Sequence, residues 1–159
     1  MSDPELLKKI TFRRLHADEP LPRKLLLDAD PDWNAVSRYL DAAEIYIALL
    51  EDEVIASLVL NILNANTLEI KNIAVTPDLQ GKGIGRLLLE NATRIAITKD
   101  IRNLIIGTSN SSIGQLCLYQ KAGFDMTEIK HNFFLDNYPQ PIFENGIQCR
   151  HMIMLKKKL

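Results

Sequence analysis

Apolar positions along the chain recur at two spacings, and the switches between them mark out its elements. Alternating or continuous β-branched runs at residues 9–15, 45–50, 54–62, 67–75 and 103–108 predict strands. Helical spacing predicts helices over 21–27 and 32–43, the second opened by Asp32 as N-cap. Glu51-Asp52-Glu53 has the length of a tight hairpin connection between two antiparallel strands. Within 67–75, Leu68 and Ile70 alternate, but the apolar phase then jumps to Ile73 and Val75, the one-residue slip of a β-bulge. Over 83–99, Ile84, Leu87, Leu88, Ala92, Ile95 and Ala96 define an amphipathic helix. Ser112-Ile113-Gly114-Gln115 matches a capping box, and Gly123 closes the helix that it starts. Residues 124–135 and 148–155 read as the last two strands. Between them a Pro- and Asn-bearing connection with Tyr138, Pro139, Pro141 and Asn145-Gly146 is long enough to be functional.

Strands alternating with helices predict an α/β or α+β fold, and 159 residues are enough for one core, so we expect a single domain over 1–159. Hydrophobic residues at 47% and charged residues at 25% exclude a disordered or fibrous chain. A net charge of -1 removes any global attraction to nucleic acid or anionic lipid. Lys156-Lys157-Lys158 reads as a solvated tail. No run reaches membrane-spanning length, and the opening Met1 to Ile10 is unlike a signal peptide, which points to the cytoplasm. Cys117 and Cys149 are expected to be reduced packing residues. His131, Cys149 and His151 lack metal-ligand spacing, so no metal is expected.

The chemistry concentrates in Gln80-Gly81-Lys82-Gly83-Ile84-Gly85-Arg86, between a strand end and a helix start. Free amides and the helix dipole favour an anion there, and glycine lets a phosphate approach the backbone. Gly81-Lys82 is followed by Gly83 rather than a hydroxyl residue, which excludes an NTPase P-loop; Arg86 stands where a dinucleotide fingerprint wants its third glycine. A plain glycine turn into a helix is the remaining alternative.

Gln80-x-x-Gly83-x-Gly85 after Ile73-Ala74-Val75 resembles motif A of the GNAT acetyltransferase superfamily, and Leu118-Tyr119-Gln120-Lys121-Ala122-Gly123-Phe124 resembles its motif B. The likeness runs over roughly 45–124. It implies a mixed, mostly antiparallel sheet of six to seven strands flanked by about four helices, with two strands splayed at an acetyl-CoA site. It also implies that backbone groups of Ile73, Ala74 and Val75 meet the pantetheine and that Gln80, Gly81, Lys82, Gly83, Ile84, Gly85 and Arg86 hold the pyrophosphate. Where the family often has Asn, seven residues before the motif B tyrosine, this chain has Ser112, with Asn110 two positions earlier. Either is a candidate cofactor contact, as is Tyr119.

The resemblance further implies transfer of an acetyl group from acetyl-CoA to a primary amine by direct attack in a ternary complex. Glu69 points away from the Leu68 and Ile70 face just before the bulge and is the candidate general base, against the alternative of a surface salt bridge. An amide near Ala74 or Val75 would stabilise the carbonyl oxygen, and Tyr119 would act as general acid to the departing sulfur. Asp28, Asp30, Asp32 and Trp33, with Asp136, Tyr138, Phe143 and Glu144, are candidates for an acidic aromatic acceptor pocket. The competing functions are a non-catalytic acyl-CoA sensor or scaffold and a plain interaction domain. The acceptor is expected to be a small molecule or peptide, and the superfamily leads one to expect a homodimer.

Overall fold

Asp3 accepts a hydrogen bond from the Leu6 amide and Pro4 takes the first helical position, so the chain opens with a helix that its sequence pattern had not suggested. In the computed structural model, which describes residues 2–159, this is α1 (Pro4–Lys8), followed by β1 (Thr11–Arg14), α2 (Arg23–Ala29) and α3 (Trp33–Leu40). Asp32 caps α3 by accepting from the Asn34 amide at 3.0 Å, as expected. β2 (Glu44–Leu50) and β3 (Glu53–Asn64) follow, joined through Glu51 and Asp52 at φ +51° and +67°. Two successive positive φ angles match the twist of an antiparallel pair.

β4 (Thr67–Val75) leads through a short 3-10 turn to α4 (Ile84–Thr98), then β5 (Asn103–Ser109) and α5 (Ile113–Lys121). β6 (Asp125–Lys130), α6 (Phe133–Asn137), β7 (Phe143–Glu144), β8 (Ile147–Gln148) and β9 (Met152–Lys158) complete the chain. Seven strands form one sheet in the order β1-β2-β3-β4-β5-β9-β6; β4 and β5 are its parallel pair and the other neighbours run antiparallel. β7 and β8 make a separate hairpin. Among the described residues there are six helices rather than about four.

One face of the sheet buries Leu58, Leu60, Leu68 and Ile70 against Leu88, Leu89 and Ala92 of α4, with Tyr119 and Phe124 in the same cluster. Leu26 of α2 and Val36 of α3 pack with Val59 in a smaller cluster. Directly opposed residues share a sheet face. Leu60 opposes Ile70 and Leu58 opposes Ile73, whereas Val59 opposes Asn72. Asn72 therefore lies beneath α2 and α3.

Several expectations need correction. The strand expected over 124–135 stops at Lys130, because Asn132 adopts φ +59° and starts α6. The strand expected over 148–155 is split: Ile147 and Gln148 pair with the β7 hairpin, and β9 begins at Met152. Lys156-Lys157-Lys158 is not a tail, since it pairs with Asn103, Leu104 and Ile105 of β5. The Lys157 ammonium reaches Thr93 Oγ1 at 3.3 Å and lies over the Phe124 ring. The capping box is not made, because Ser112 donates to Glu144 Oε2 at 3.1 Å instead of capping α5. Both cysteines are free thiols, but Cys117 is exposed and only Cys149 is buried.

Gly123 ends α5 at φ +98°, with its amide on the Gln120 carbonyl and the Phe124 amide on the Tyr119 carbonyl. This pair of bonds is a Schellman cap, and its usual apolar contact is Phe124 against Tyr119, ring centroids 6.3 Å apart. Forcing a β-carbon into a left-handed conformation costs about 1–2 kcal/mol. Gly123→Ala is accordingly expected to lower the stability measured by denaturant unfolding by about that amount.

Candidate active site

The parallel pairing of β4 with β5 runs from Thr67 opposite Asn103 to Ile70 opposite Ile106 and then stops, although both strands continue. Past that rung β5 keeps its partner β9 as far as Ser109, and β4 keeps β3 as far as Val75. Residues 71–75 of β4 therefore present an edge to a gap. The register against β3 passes from Leu60–Ile70 to Val59–Asn72, so Lys71 is the bulged residue. The slip in apolar phase had this cause. Unpaired ladder groups are costly unless a ligand supplies the missing strand.

Beyond the end of β4 the chain enters the glycine loop. Gly81 and Gly83 take φ +76° and +96°, and Gly83 is the N-cap of α4. Among the described residues no side chain caps this helix, which leaves the amides of Ile84, Gly85 and Arg86 in its first turn without a side-chain acceptor. A diphosphate fits such a cradle. Gln80 Nε2 donates to the Val75 carbonyl at 3.0 Å, tying the loop to the open edge of β4. Ile84 is buried in the core and offers only its backbone. The Arg86 guanidinium is paired along the helix with Glu90 at 3.1 Å. From behind, the Asp3 amide donates to the Lys82 carbonyl at 2.9 Å.

Tyr119 is 4% exposed, its ring packed into the main core cluster. Burial, and secondarily the Glu144 carboxylate, push its phenol far above the ordinary value. The β7–β8 hairpin delivers Glu144, whose two oxygens meet the Ser112 hydroxyl at 3.1 Å and the Cys149 thiol at 3.7 Å.

On the α2–α3 side of β4 a polar cluster surrounds Tyr39. Asn61 Nδ2 donates to the Tyr39 carbonyl at 3.2 Å and Asn72 Nδ2 to its hydroxyl at 3.0 Å, leaving Asn61 Oδ1 and Asn72 Oδ1 buried with no donor among the described residues. Glu69, directly across from Asn61, has a side chain only 13% exposed and lies 3.6 Å from the Lys71 ammonium. That ammonium sits 5.4 Å from the centre of the Tyr39 ring. Tyr138 donates to Asp30 Oδ1 at 2.9 Å, joining the turn before α3 to the end of α6. Burial raises Asp30 and pushes Tyr39 up to about 12. Carboxylates, two amide oxygens without donors and an aromatic face offer this cluster's acceptors to an ammonium, and that of Lys71 already lies there.

Not every expected contact gathers here. Asn110 is spent within the chain: its Oδ1 accepts from the Arg150 and His151 amides and its Nδ2 donates to the Gln148 carbonyl. Of the suggested acidic aromatic pocket, Asp30 and Tyr138 meet, Asp32 caps α3, Trp33 stacks under Arg23 and Phe143 is exposed. No group of three metal-ligating side chains occurs among the described residues. Lys71, Tyr39, Asn61 and Asn72 had not been singled out. The signal for Asn72 was available, as a residue at the slip in apolar phase between Ile70 and Ile73.

Comparison with known proteins gives a consistent result. The profile of the acetyltransferase (GNAT) family matches residues 9–124. The uncharacterized N-acetyltransferase YvbK of Bacillus subtilis strain 168 is 48% identical over 131 residues, covering 82% of this chain and 84% of that protein. A GNAT family acetyltransferase from Elizabethkingia anophelis, crystallised with acetyl-CoA bound, superposes with a TM-score of 0.93 at 48% identity over 95% of this chain and 99% of the other. A Bacillus subtilis acetyltransferase in complex with CoA superposes with a TM-score of 0.88 at 43% identity, over 95% and 99%.

Proposed function

This chain belongs to the acetyltransferase (GNAT) family, and from that membership we propose which of its residues carry out acetyl transfer and what acceptor they take. It is an N-acetyltransferase that uses acetyl-CoA. The assignment of roles rests on one observation, the parting of β4 from β5 after Ile70 and Ile106 beside Glu69. The amides of 84–86, with Gln80, Gly81, Lys82 and Gly83, hold the diphosphate, and the backbone of Ile73, Ala74 and Val75 pairs with the pantetheine amides. Whole-chain action of residues 1–159 as one domain, in the cytoplasm where acetyl-CoA circulates, belongs to the same reading.

An amine with an ordinary pKa of about 10.4 is protonated at neutral pH and must lose a proton before it attacks. Glu69, largely covered and at the last paired rungs of the splayed strands, takes that proton directly or through water. The Ala74 or Val75 amide stabilises the charge that builds on the carbonyl oxygen. Tyr119 protonates the departing sulfur. The acceptor is a primary amine, carried by a small molecule or a peptide, that enters between Tyr39, Asp30 and Tyr138 as an ammonium.

Tyr119→Phe is expected to lower kcat by about 10²-fold with little change in KM for acetyl-CoA. Because burial holds the Tyr119 phenol above its ordinary pKa, the group stays protonated and wild-type kcat should show no alkaline loss from it up to about pH 10. Thiol release measured across an amine panel checks both points. A Tyr119→Phe enzyme as fast as wild type would remove Tyr119 from the mechanism, and tight acetyl-CoA binding without turnover of any amine would instead make the chain a sensor.

A further inference from the structure

Lys71 stands where β4 and β5 part. It is the bulged residue of β4, one position beyond the last β4–β5 rung, where the gap for the pantetheine arm opens. Its ammonium lies 3.6 Å from the Glu69 carboxylate and over the Tyr39 ring, beside a cluster in which Asn61 Oδ1 and Asn72 Oδ1 are buried with no donor among the described residues, and its side chain remains 36% exposed. An external amine awaiting acetylation needs the same surroundings: a carboxylate to take its proton, an aromatic face to hold its charge, and the acyl carbon within reach.

We propose that Lys71 is an acyl acceptor built into the enzyme, which acetylates itself there when acetyl-CoA is present and no external amine competes. The inference rests on the site assignment above. Glu69 takes one proton from the Lys71 ammonium, and the freed lone pair forms a C–N bond to the thioester carbonyl carbon. The C–S bond breaks, and the sulfur leaves with its electron pair and takes a proton from Tyr119. The nitrogen sheds a second proton as the amide forms, which restores the Tyr119 phenol. In sum, an ammonium and a thioester become an amide, a thiol and one proton released to water. The product amide is neutral, so Glu69 loses its ion-pair partner.

Lys99 is a matched internal control: its ammonium is paired with Glu44 at 2.7 Å and its side chain is 31% exposed, but it lies just past the far end of α4. The full-length protein is incubated with isotope-labelled acetyl-CoA and no amine, and label at both lysines is followed by peptide mass spectrometry. Acetyl-CoA binding is measured by calorimetry on the same samples, and turnover on the amine panel. Lys71 should acquire label about 10²-fold faster than Lys99, and Glu69→Gln should slow Lys71 by about 10²-fold while leaving Lys99 unchanged. Lys71→Arg, which keeps the ion pair but offers no comparable nucleophile, should reduce total incorporation to the level of the other lysines. Labelling of Lys71 no faster than Lys99, or unaffected by Glu69→Gln, overturns the proposal as mere chemical acetylation. An enzyme that binds acetyl-CoA and acetylates an external amine yet leaves Lys71 unmodified overturns this inference alone; failure to bind acetyl-CoA overturns it together with the site assignment.

Discussion

Gly83→Glu is expected to weaken acetyl-CoA binding by about 10²-fold or more, the effect of setting a like charge against a phosphate at several kcal/mol. Three features of the loop combine at this position. Gly83 sits at φ +96°, where a side chain is strained, and a β-carbon there would come within 3.0 Å of Ser2 Cβ. Its residue is the N-cap of α4, so a carboxylate would compete for the very amides assigned to the diphosphate. Gly81→Ala separates charge from strain, because φ is +76° but a new β-carbon meets nothing within 4 Å. That variant should lose about 1–2 kcal/mol of stability and far less affinity than Gly83→Glu. Titration calorimetry on both variants, each first shown to be folded by its thermal melt, makes the comparison.

The second large effect is expected at Glu69. Glu69→Gln should lower kcat by about 10²–10⁴-fold, the range for loss of a positioned base, while acetyl-CoA binds as before. The residue is nearly isosteric and keeps a hydrogen-bonding side chain opposite Asn61, so the fold should be undisturbed. Raising the pH supplies more neutral amine from solution, so the variant's rate should recover steeply toward about pH 10 while the wild type's does not. Stopped-time assays of thiol release at several pH values show this directly. Equal rates for the variant and the wild type would return Glu69 to the role of a plain ion-pair partner for Lys71.

The sequence carried the centre of the molecule because its determinants there are local. The bulge is visible in the jump from Ile70 to Ile73, the glycine loop in Gly81, Gly83 and Gly85 at the start of an amphipathic helix, and the end of α5 in Gly123. The C-terminal third was less legible, since its structure depends on distant partners. Lys156-Lys157-Lys158 looks solvated by composition, but β5 supplies ladder bonds that override it. Ser112 has the spacing of a cap, yet Glu144, 32 positions away, takes its hydroxyl. Asn110 is drawn likewise to Gln148, Arg150 and His151.

The cluster around Tyr39 was hidden for a related reason. Asp30 and Tyr138 stand 108 positions apart and meet only because α6 folds back beside the turn before α3. Tyr39 of α3 is bonded by Asn61 of β3 and Asn72 of β4. Periodicity assigns Tyr39, Asn61 and Asn72 to elements and leaves Asp30 and Tyr138 in connections, but says nothing about which of them converge.

Determining the crystal structure of the protein with CoA tests the central claim most directly. The diphosphate should rest on the amides of Ile84, Gly85 and Arg86, and the pantetheine arm should lie along Ile73, Ala74 and Val75 with its sulfur near the Tyr119 hydroxyl. CoA bound elsewhere, or β4 and β5 closed into a continuous ladder beyond Ile70 and Ile106 with the ligand outside, would contradict it.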